Sequence, residues 1–257
     1  MDTLTSRQQS ILNRVVDTHI ETAQPVGSQS ITQMYRKQYN ASFSPATVRF
    51  EMGVLEEIGY LTHPHTSSGR VPTDLGYRYY VDHCLQQEEV PHSIFGDLKA
   101  RGHGGFEGIE FLVENAGKIL SKMTDEVCLI LIEDISSGFE APRRKKLFLQ
   151  GTATLLHKPE FQDVDKVRAL IEVLEEKTRI TDWLGSQTPE RGVNVRIGRE
   201  NNLEALRDCA LISVSYAIAG ENGGAVAVLG PRRMHYSRAL PLVSQMAKRM
   251  ERICGHG

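Results

Sequence analysis

The chain has 257 residues, 40% of them apolar and 24% charged, enough to bury a real core and, at roughly one domain per 150 residues, long enough for two domains. Its 30 Lys and Arg against 32 Asp and Glu leave a net charge of −2, which excludes bulk electrostatics as a reason for binding nucleic acid. No apolar run reaches the roughly 18 residues of a membrane-spanning helix, and Met1-Asp2-Thr3-Leu4-Thr5 lacks the basic start and apolar stretch of a signal peptide, so a cytoplasmic protein without membrane contact is expected.

Thr5 followed by Gln8 is a capping-box pattern that predicts a helix start. Ile11, Leu12, Val15, Val16 and Ile20 then recur at three- and four-residue steps, marking one buried face. Gln24-Pro25-Val26-Gly27 breaks this helix. Ser28 is expected to cap a second, shorter helix with Ile31, Met34 and Tyr35 on its apolar side. After the turn Asn40-Ala41-Ser42-Phe43, Ser44 as cap and Pro45 at the first helical position predict a third helix.

On this third helix Val48, Met52, Leu55 and Ile58 are expected to face the core, and Ala46, Arg49, Phe50, Gly53 and Glu57 to face outward. The outward half nearest the N-terminus is small or cationic, while Glu56 and Glu57 lie at the far end. A helix that enters the major groove needs this polarity, because its N-terminal residues meet the base edges. Arg49 suits a bidentate contact to guanine and Phe50 an apolar contact to a thymine methyl. Gly59-Tyr60-Leu61 ends the helix and starts a short strand. The polar loop from His63 through His65, Thr66, Ser67, Ser68, Gly69 and Arg70 to Thr73 returns to a second strand, as in a wing. Its hydroxyls and Arg70 suit phosphate or minor-groove contacts. Thr73 or Asp74 is expected to cap a further helix. Residues 1–82 hold seven Lys and Arg against eight Asp and Glu, so DNA contact rests on where the cations sit, with few phosphates neutralised per protomer.

Residues 4–82 resemble the family of heat-inducible transcription repressors called HrcA almost continuously. The resemblance is carried by Pro25-Val26-Gly27-Ser28, by Ser44-Pro45-Ala46-Thr47-Val48-Arg49, by Glu51-Met52, and by Leu55-Glu56-Glu57-Ile58-Gly59-Tyr60-Leu61. It continues through Pro64-His65-Thr66-Ser67-Ser68-Gly69-Arg70-Val71-Pro72-Thr73-Asp74 and Gly76-Tyr77-Arg78-Tyr79-Tyr80-Val81-Asp82. The family pattern has asparagine where this chain has Phe50. The residues expected to contact DNA are Ser44, Thr47, Arg49 and Phe50 of the third helix and His65, Thr66, Ser67 and Arg70 of the wing.

Residues 84–106 read as a flexible join, with Pro91 and the glycines Gly102, Gly104 and Gly105. From Phe106 a helix is expected, with Ile109, Leu112, Val113, Ala116, Ile119 and Leu120 on one face. Val127 to Ile132 is a continuous apolar run of buried-strand length, and Arg143-Arg144-Lys145-Lys146 is expected as a solvated cationic turn. Val164, Val167, Leu170, Ile171 and Leu174 mark a buried helix face, and 193–197, 211–218 and 225–229 read as strands. Stretches around Pro159-Glu160-Phe161, Gly192-Val193-Asn194-Val195-Arg196-Ile197-Gly198 and Gly230-Pro231-Arg232-Arg233-Met234-His235-Tyr236 resemble the same family. The expected fold is therefore α+β: a winged helix-turn-helix over 1–83, a linker over 84–106, and a truncated GAF-like domain with an antiparallel sheet over 107–257. The family carries more chain, including an inserted subdomain linked to dimer formation, where residues 131–150 stand here.

The resemblance implies a repressor of chaperone genes on an inverted-repeat operator, a homodimer, and assistance from a GroEL-type chaperonin. A second reading keeps the DNA-binding half and makes the GAF-like domain a sensor of a metabolite or redox signal. Cys84, Cys128, Cys209 and Cys254 are scattered without metal-ligand spacing and are expected as reduced thiols. No metal site, cofactor or catalytic residue is expected: Gly102-His103-Gly104-Gly105 lacks the strand and lysine of a phosphate loop, and neither a nucleophile elbow nor a carboxylate pair stands out.

Overall fold

A computed structural model of the chain describes residues 4–39, 43–64, 69–95, 106–133, 145–188, 192–218 and 221–254. It divides into two compact units, Met1–Gln86 with Arg232–Met234, and Gln87–Pro231 with His235–Gly257.

In the first unit, helix α1 (Ser6–Thr22) opens on the expected capping box: the Thr5 hydroxyl accepts from Gln8 N–H at 3.3 Å, and Thr5 N–H donates to the Gln8 side chain at 3.0 Å. Two helix-end donors are thereby satisfied at once. Ala23, in the left-handed conformation at φ 55°, closes the helix by donating to His19 O. Helix α2 (Ser28–Tyr39) corrects the sequence expectation by one residue: Ser28 is already helical, and Gly27 O accepts the first bond, from Ile31 N–H. Helix α3 (Pro45–Glu57) begins at Ser44, whose hydroxyl accepts from Thr47 N–H at 3.0 Å, with Pro45 where its missing N–H costs nothing. The core collects Ile11, Leu12, Val15 and Val16 from α1, Ile31 and Tyr35 from α2, and Val48, Met52 and Leu55 from α3, all buried. Ile58 departs from expectation and is 39% exposed, because the helix has ended at Glu57 and the 3.6-residue period no longer carries it inward.

Strands β1 (Leu61–Thr62) and β2 (Val71–Pro72) pair antiparallel as the base of a wing, and Thr73 caps helix α4 (Asp74–Tyr79) by accepting from Gly76 N–H at 3.1 Å. A Cβ on Gly76 would lie 2.2 Å from Tyr60 O, so a side chain there would push α4 off the wing. One π-helical turn, Tyr80–Cys84, follows α4.

There the Tyr80 hydroxyl donates to Asp17 Oδ1 at 2.8 Å. Burial raises the Asp17 carboxyl above its ordinary range, outweighing the Tyr80 hydrogen bond and the Arg14 charge, which both lower it. A raised folded pKa means that the folded state holds this proton more tightly than the unfolded chain. The group's contribution is therefore greatest in acid, below the ordinary carboxylate pKa, and is lost as pH rises through the folded pKa. Asp17→Asn, which removes the charge and keeps an oxygen for Tyr80, is expected to raise the melting temperature at neutral pH and to leave it unchanged in acid. Thermal melts across pH check this; an equal shift at both ends would place the effect elsewhere.

The second unit is built on a five-stranded antiparallel sheet in the order β4-β3-β7-β6-β5: β3 Val127–Glu133, β4 Lys145–Gln150, β5 Val193–Ile197, β6 Cys209–Ile218 and β7 Glu221–Pro231. Helices α6 (Val164–Glu175) and α7 (Lys177–Gln187) cover one face, where Leu129, Leu131, Leu211, Ala227 and Leu229 meet Leu170, Leu174, Ile180, Trp183 and Leu184. Residues of the other face, among them Ile130, Ile212, Val226 and Val228, are also fully buried, with α5 (Phe106–Thr124) and α8 (Tyr236–Cys254) alongside. Burial on both faces explains why β3 reads as a continuous apolar run.

Three sequence expectations change here. Lys145 and Lys146 are not in a solvated turn but open the edge strand β4, where they pair with Glu133 and Glu110; Arg143 and Arg144 lie outside the described residues. Val164 is 69% exposed, since it opens α6 before that helix turns its face to the core. Within 84–106, Glu88 N–H donates to Ser237 O at 2.9 Å, Gln245 donates to Val90 O, and Phe95 is buried, so residues 88–95 are fastened to their own unit. Asn40 to Ser42 and Gly102 to Gly105 lie outside the described residues.

Candidate nucleic-acid interface

Helix α3 turns Val48, Met52 and Leu55 into the core, and this fixes which side chains it offers to solvent. Arg49 is exposed and Phe50 is 69% exposed, a large apolar ring held in water. Together with Ala46, Gly53, Val54 and Glu57 they line a shallow groove of about 430 Å³ along the outer face of the helix. Ser44 is exposed at the cap, and its hydroxyl is 2.9 Å from that of the half-buried Thr47, so both hydroxyls first serve the helix end. The four residues expected on this helix thus share its N-terminal half.

Two acids of α3, Glu51 and Glu56, have partners. Glu51, which is buried, receives Arg7 at 3.3 Å and the Gln8 amide at 3.2 Å, tying α3 to α1. Glu56 receives Arg70 Nε at 3.0 Å, and His63 Nε2 lies 3.3 Å from the same oxygen. Among the described residues Arg49 has no acidic partner within ion-pair distance. Arg49 is thus the exposed cation of the N-terminal half of α3, with the exposed Glu57 about two turns further along the same groove. Base-edge recognition by arginine asks for this arrangement.

Arg70 is not a free wing-tip cation. Its backbone forms an antiparallel bridge with Val26 (2.9 and 3.0 Å), and its side chain, 16% exposed, lies against α3. Gly69 beside it must be glycine, because a Cβ would stand 2.5 Å from Val26 C and O. His65, Thr66 and Ser67 lie outside the described residues. Sequence reasoning gave neither Glu51 nor Glu56 a partner, though a signal was readable: acids at helix positions whose neighbours are apolar or small need a cation from elsewhere in the fold.

Among the described residues no group of His, Cys, Asp and Glu could hold a metal ion, and no helix is long and apolar enough to cross a membrane. Burial pushes the Cys128 thiol far above its ordinary range, and that of the half-buried Cys84 upward too.

The fold and this exposed helix define a regulator of the winged-helix class with a GAF-like second unit. The family model for the HrcA protein C terminal domain matches residues 111–240. The heat-inducible transcription repressor HrcA of Brevibacillus brevis is 30% identical over 339 aligned positions, spanning 97% of this chain and 98% of the relative; that of Shouchella clausii is 30% identical over 335, spanning 95% and 96%. The chain belongs to the HrcA family of heat-inducible transcription repressors. A crystal structure at 2.2 Å resolution, titled as that of a hypothetical protein, superimposes with a TM-score of 0.81 at 20% identity over 99% of both chains, in agreement on the fold. Because 339 positions are aligned against 257 residues, the relatives carry residues with no counterpart here.

Proposed function

We propose that this protein is a sequence-specific repressor of chaperone genes that binds an inverted-repeat operator as a homodimer. Helix α3 enters the major groove, and the wing follows the backbone beside it. The observation that carries this reading is the exposed pair Arg49 and Phe50, set on a helix whose opposite face is locked into the core. Ser44 and Thr47 stand at the helix end that approaches DNA, and His65, Thr66, Ser67 and Arg70 are the wing contacts of this proposal. A bound dimer excludes polymerase sterically, and a GroEL-type chaperonin sustains the active form until heat diverts it to unfolded clients.

Binding of the full chain to a labelled duplex carrying the chaperonin-promoter inverted repeat, against scrambled DNA and across a salt series, tests the proposal. Selective binding by two protomers is expected; equal, weak and salt-sensitive binding to both duplexes would overturn it. Arg49→Ala is expected to cost about 1–3 kcal/mol of discrimination, read as the ratio of the two affinities. Equal losses on both duplexes would reduce Arg49 to a phosphate contact.

One observation favours the second reading, in which the GAF-like unit senses a metabolite. An open cleft of about 620 Å³ runs along α6, lined by the buried Phe161 and Val173, by Ala169 and Leu203, and by the charged Lys166 and Arg179. Release of the operator duplex on adding a metabolite extract, undone by filling the cleft with Ala169→Trp, would support that reading. Unchanged binding would dismiss it.

A further inference from the structure

Arg49, Gly53 and Glu56 occupy positions i, i+4 and i+7 of α3, one continuous row along the helix. The Arg70 guanidinium lies along this row: Nε is bonded to Glu56 Oε2 at 3.0 Å, and Nη2 is 3.9 Å from where a Cβ of Gly53 would stand. The backbone of Arg70 is held just as firmly, by its bridge to Val26. The guanidinium is thus carried from the wing onto the reading helix, beside Gly53 and one turn on from Arg49. A Cβ at Gly53 would meet Arg70 Nη2 at an ordinary van der Waals distance, so the guanidinium lies within contact range of the helix surface there.

We infer that Glu56 is a positioning residue for DNA recognition: its carboxylate holds Arg70 in line with Arg49, so that the remaining nitrogens of Arg70 meet a DNA phosphate next to the bases that α3 reads. The inference rests on the proposed DNA-binding function. A fixed guanidinium has little conformational freedom left to lose on binding, so the contact gains in strength from the ordering already done by the fold. It also reverses a simple electrostatic expectation. Glu56 is an anion close to where polyanionic DNA would lie, and if it acted by charge alone its removal would tighten binding. If it positions Arg70, its removal weakens binding.

The test measures operator affinity and salt dependence for the full chain and for Glu56→Met, Glu56→Gln, Arg70→Ala and the Glu56→Met/Arg70→Ala double variant. Met and Gln keep the length and helix preference of Glu, and Gln keeps an oxygen that accepts from Arg70 Nε. Arg70→Ala is expected to weaken operator and scrambled duplex alike and to lower the salt slope by about 1. Glu56→Met is expected to show the same two changes despite the lost negative charge, the double variant to be no weaker than Arg70→Ala, and Glu56→Gln to bind like the parent. Unchanged or tighter binding by Glu56→Met, additive losses in the double variant, or a Glu56→Gln as weak as Glu56→Met would overturn the inference while leaving the DNA-binding function standing. A parent chain that binds neither duplex would overturn both.

Discussion

Met52→Ala is expected to destabilise the winged-helix unit by about 2–5 kcal/mol, the usual cost of emptying a fully buried site of that size. Met52 is 0% exposed and stands at the centre of α3, between Val48 and Leu55 on the face turned into the core. The lost methylenes forfeit their transfer free energy, and the space they leave cannot close unless α3 moves toward α1 and α2. That movement would carry Arg49 and Phe50 with it, so the two exposed side chains change position even in molecules that stay folded. Chemical denaturation followed by helical circular dichroism measures the stability loss. Operator binding well below the new midpoint measures the displacement. A loss below about 1 kcal/mol would mean that the core around α3 repacks freely, and α3 would then be a poor reader of sequence.

Gly224→Ala is the second large effect, and it falls on the GAF-like unit. Gly224 sits in β7 at φ 137°, a backbone conformation that side chains rarely adopt, and a Cβ would lie 1.9 Å from Leu131 O and 3.0 Å from the Tyr216 hydroxyl. That hydroxyl donates to Leu131 O at 3.0 Å, so the Tyr216 side chain reaches across Gly224 from β6 to β3. A methyl group there strains the backbone, for about 1–3 kcal/mol, and forces the strands apart, for roughly as much again. The chain has one tryptophan, and Trp183 is buried in the apolar cluster on the α6 and α7 face of this sheet. Its fluorescence therefore reports the loss directly, as an earlier unfolding midpoint. An unchanged midpoint would mean that β7 relaxes at this position without disturbing its neighbours.

Local rules that act over a few residues were the legible part. Thr5 with Gln8, Ser44 with Pro45, and Thr73 before α4 each announced a helix start, because the cap's hydroxyl accepts from a backbone N–H only three residues on and needs no distant partner. The buried stripes of α1 and α3 followed from periodicity for the same reason. Periodicity failed at Ile58 and Val164, where a helix boundary interrupts it. It also failed at Lys145 and Lys146, where two charges at the start of an edge strand look like a turn until Glu133 and Glu110 are brought opposite them.

The candidate site divides along the same line. The sequence by itself determined that α3 would bear Arg49 and Phe50 outward, since burying Val48, Met52 and Leu55 leaves a helix no other way to face. Only the tertiary structure decided what becomes of the charges around them. Arg7 reaches Glu51 across 44 positions of chain and Arg70 reaches Glu56 across 14. Such pairings depend on where the wing and α1 are packed rather than on spacing along the chain. A carboxylate half-removed from water takes whichever cation the fold brings within reach.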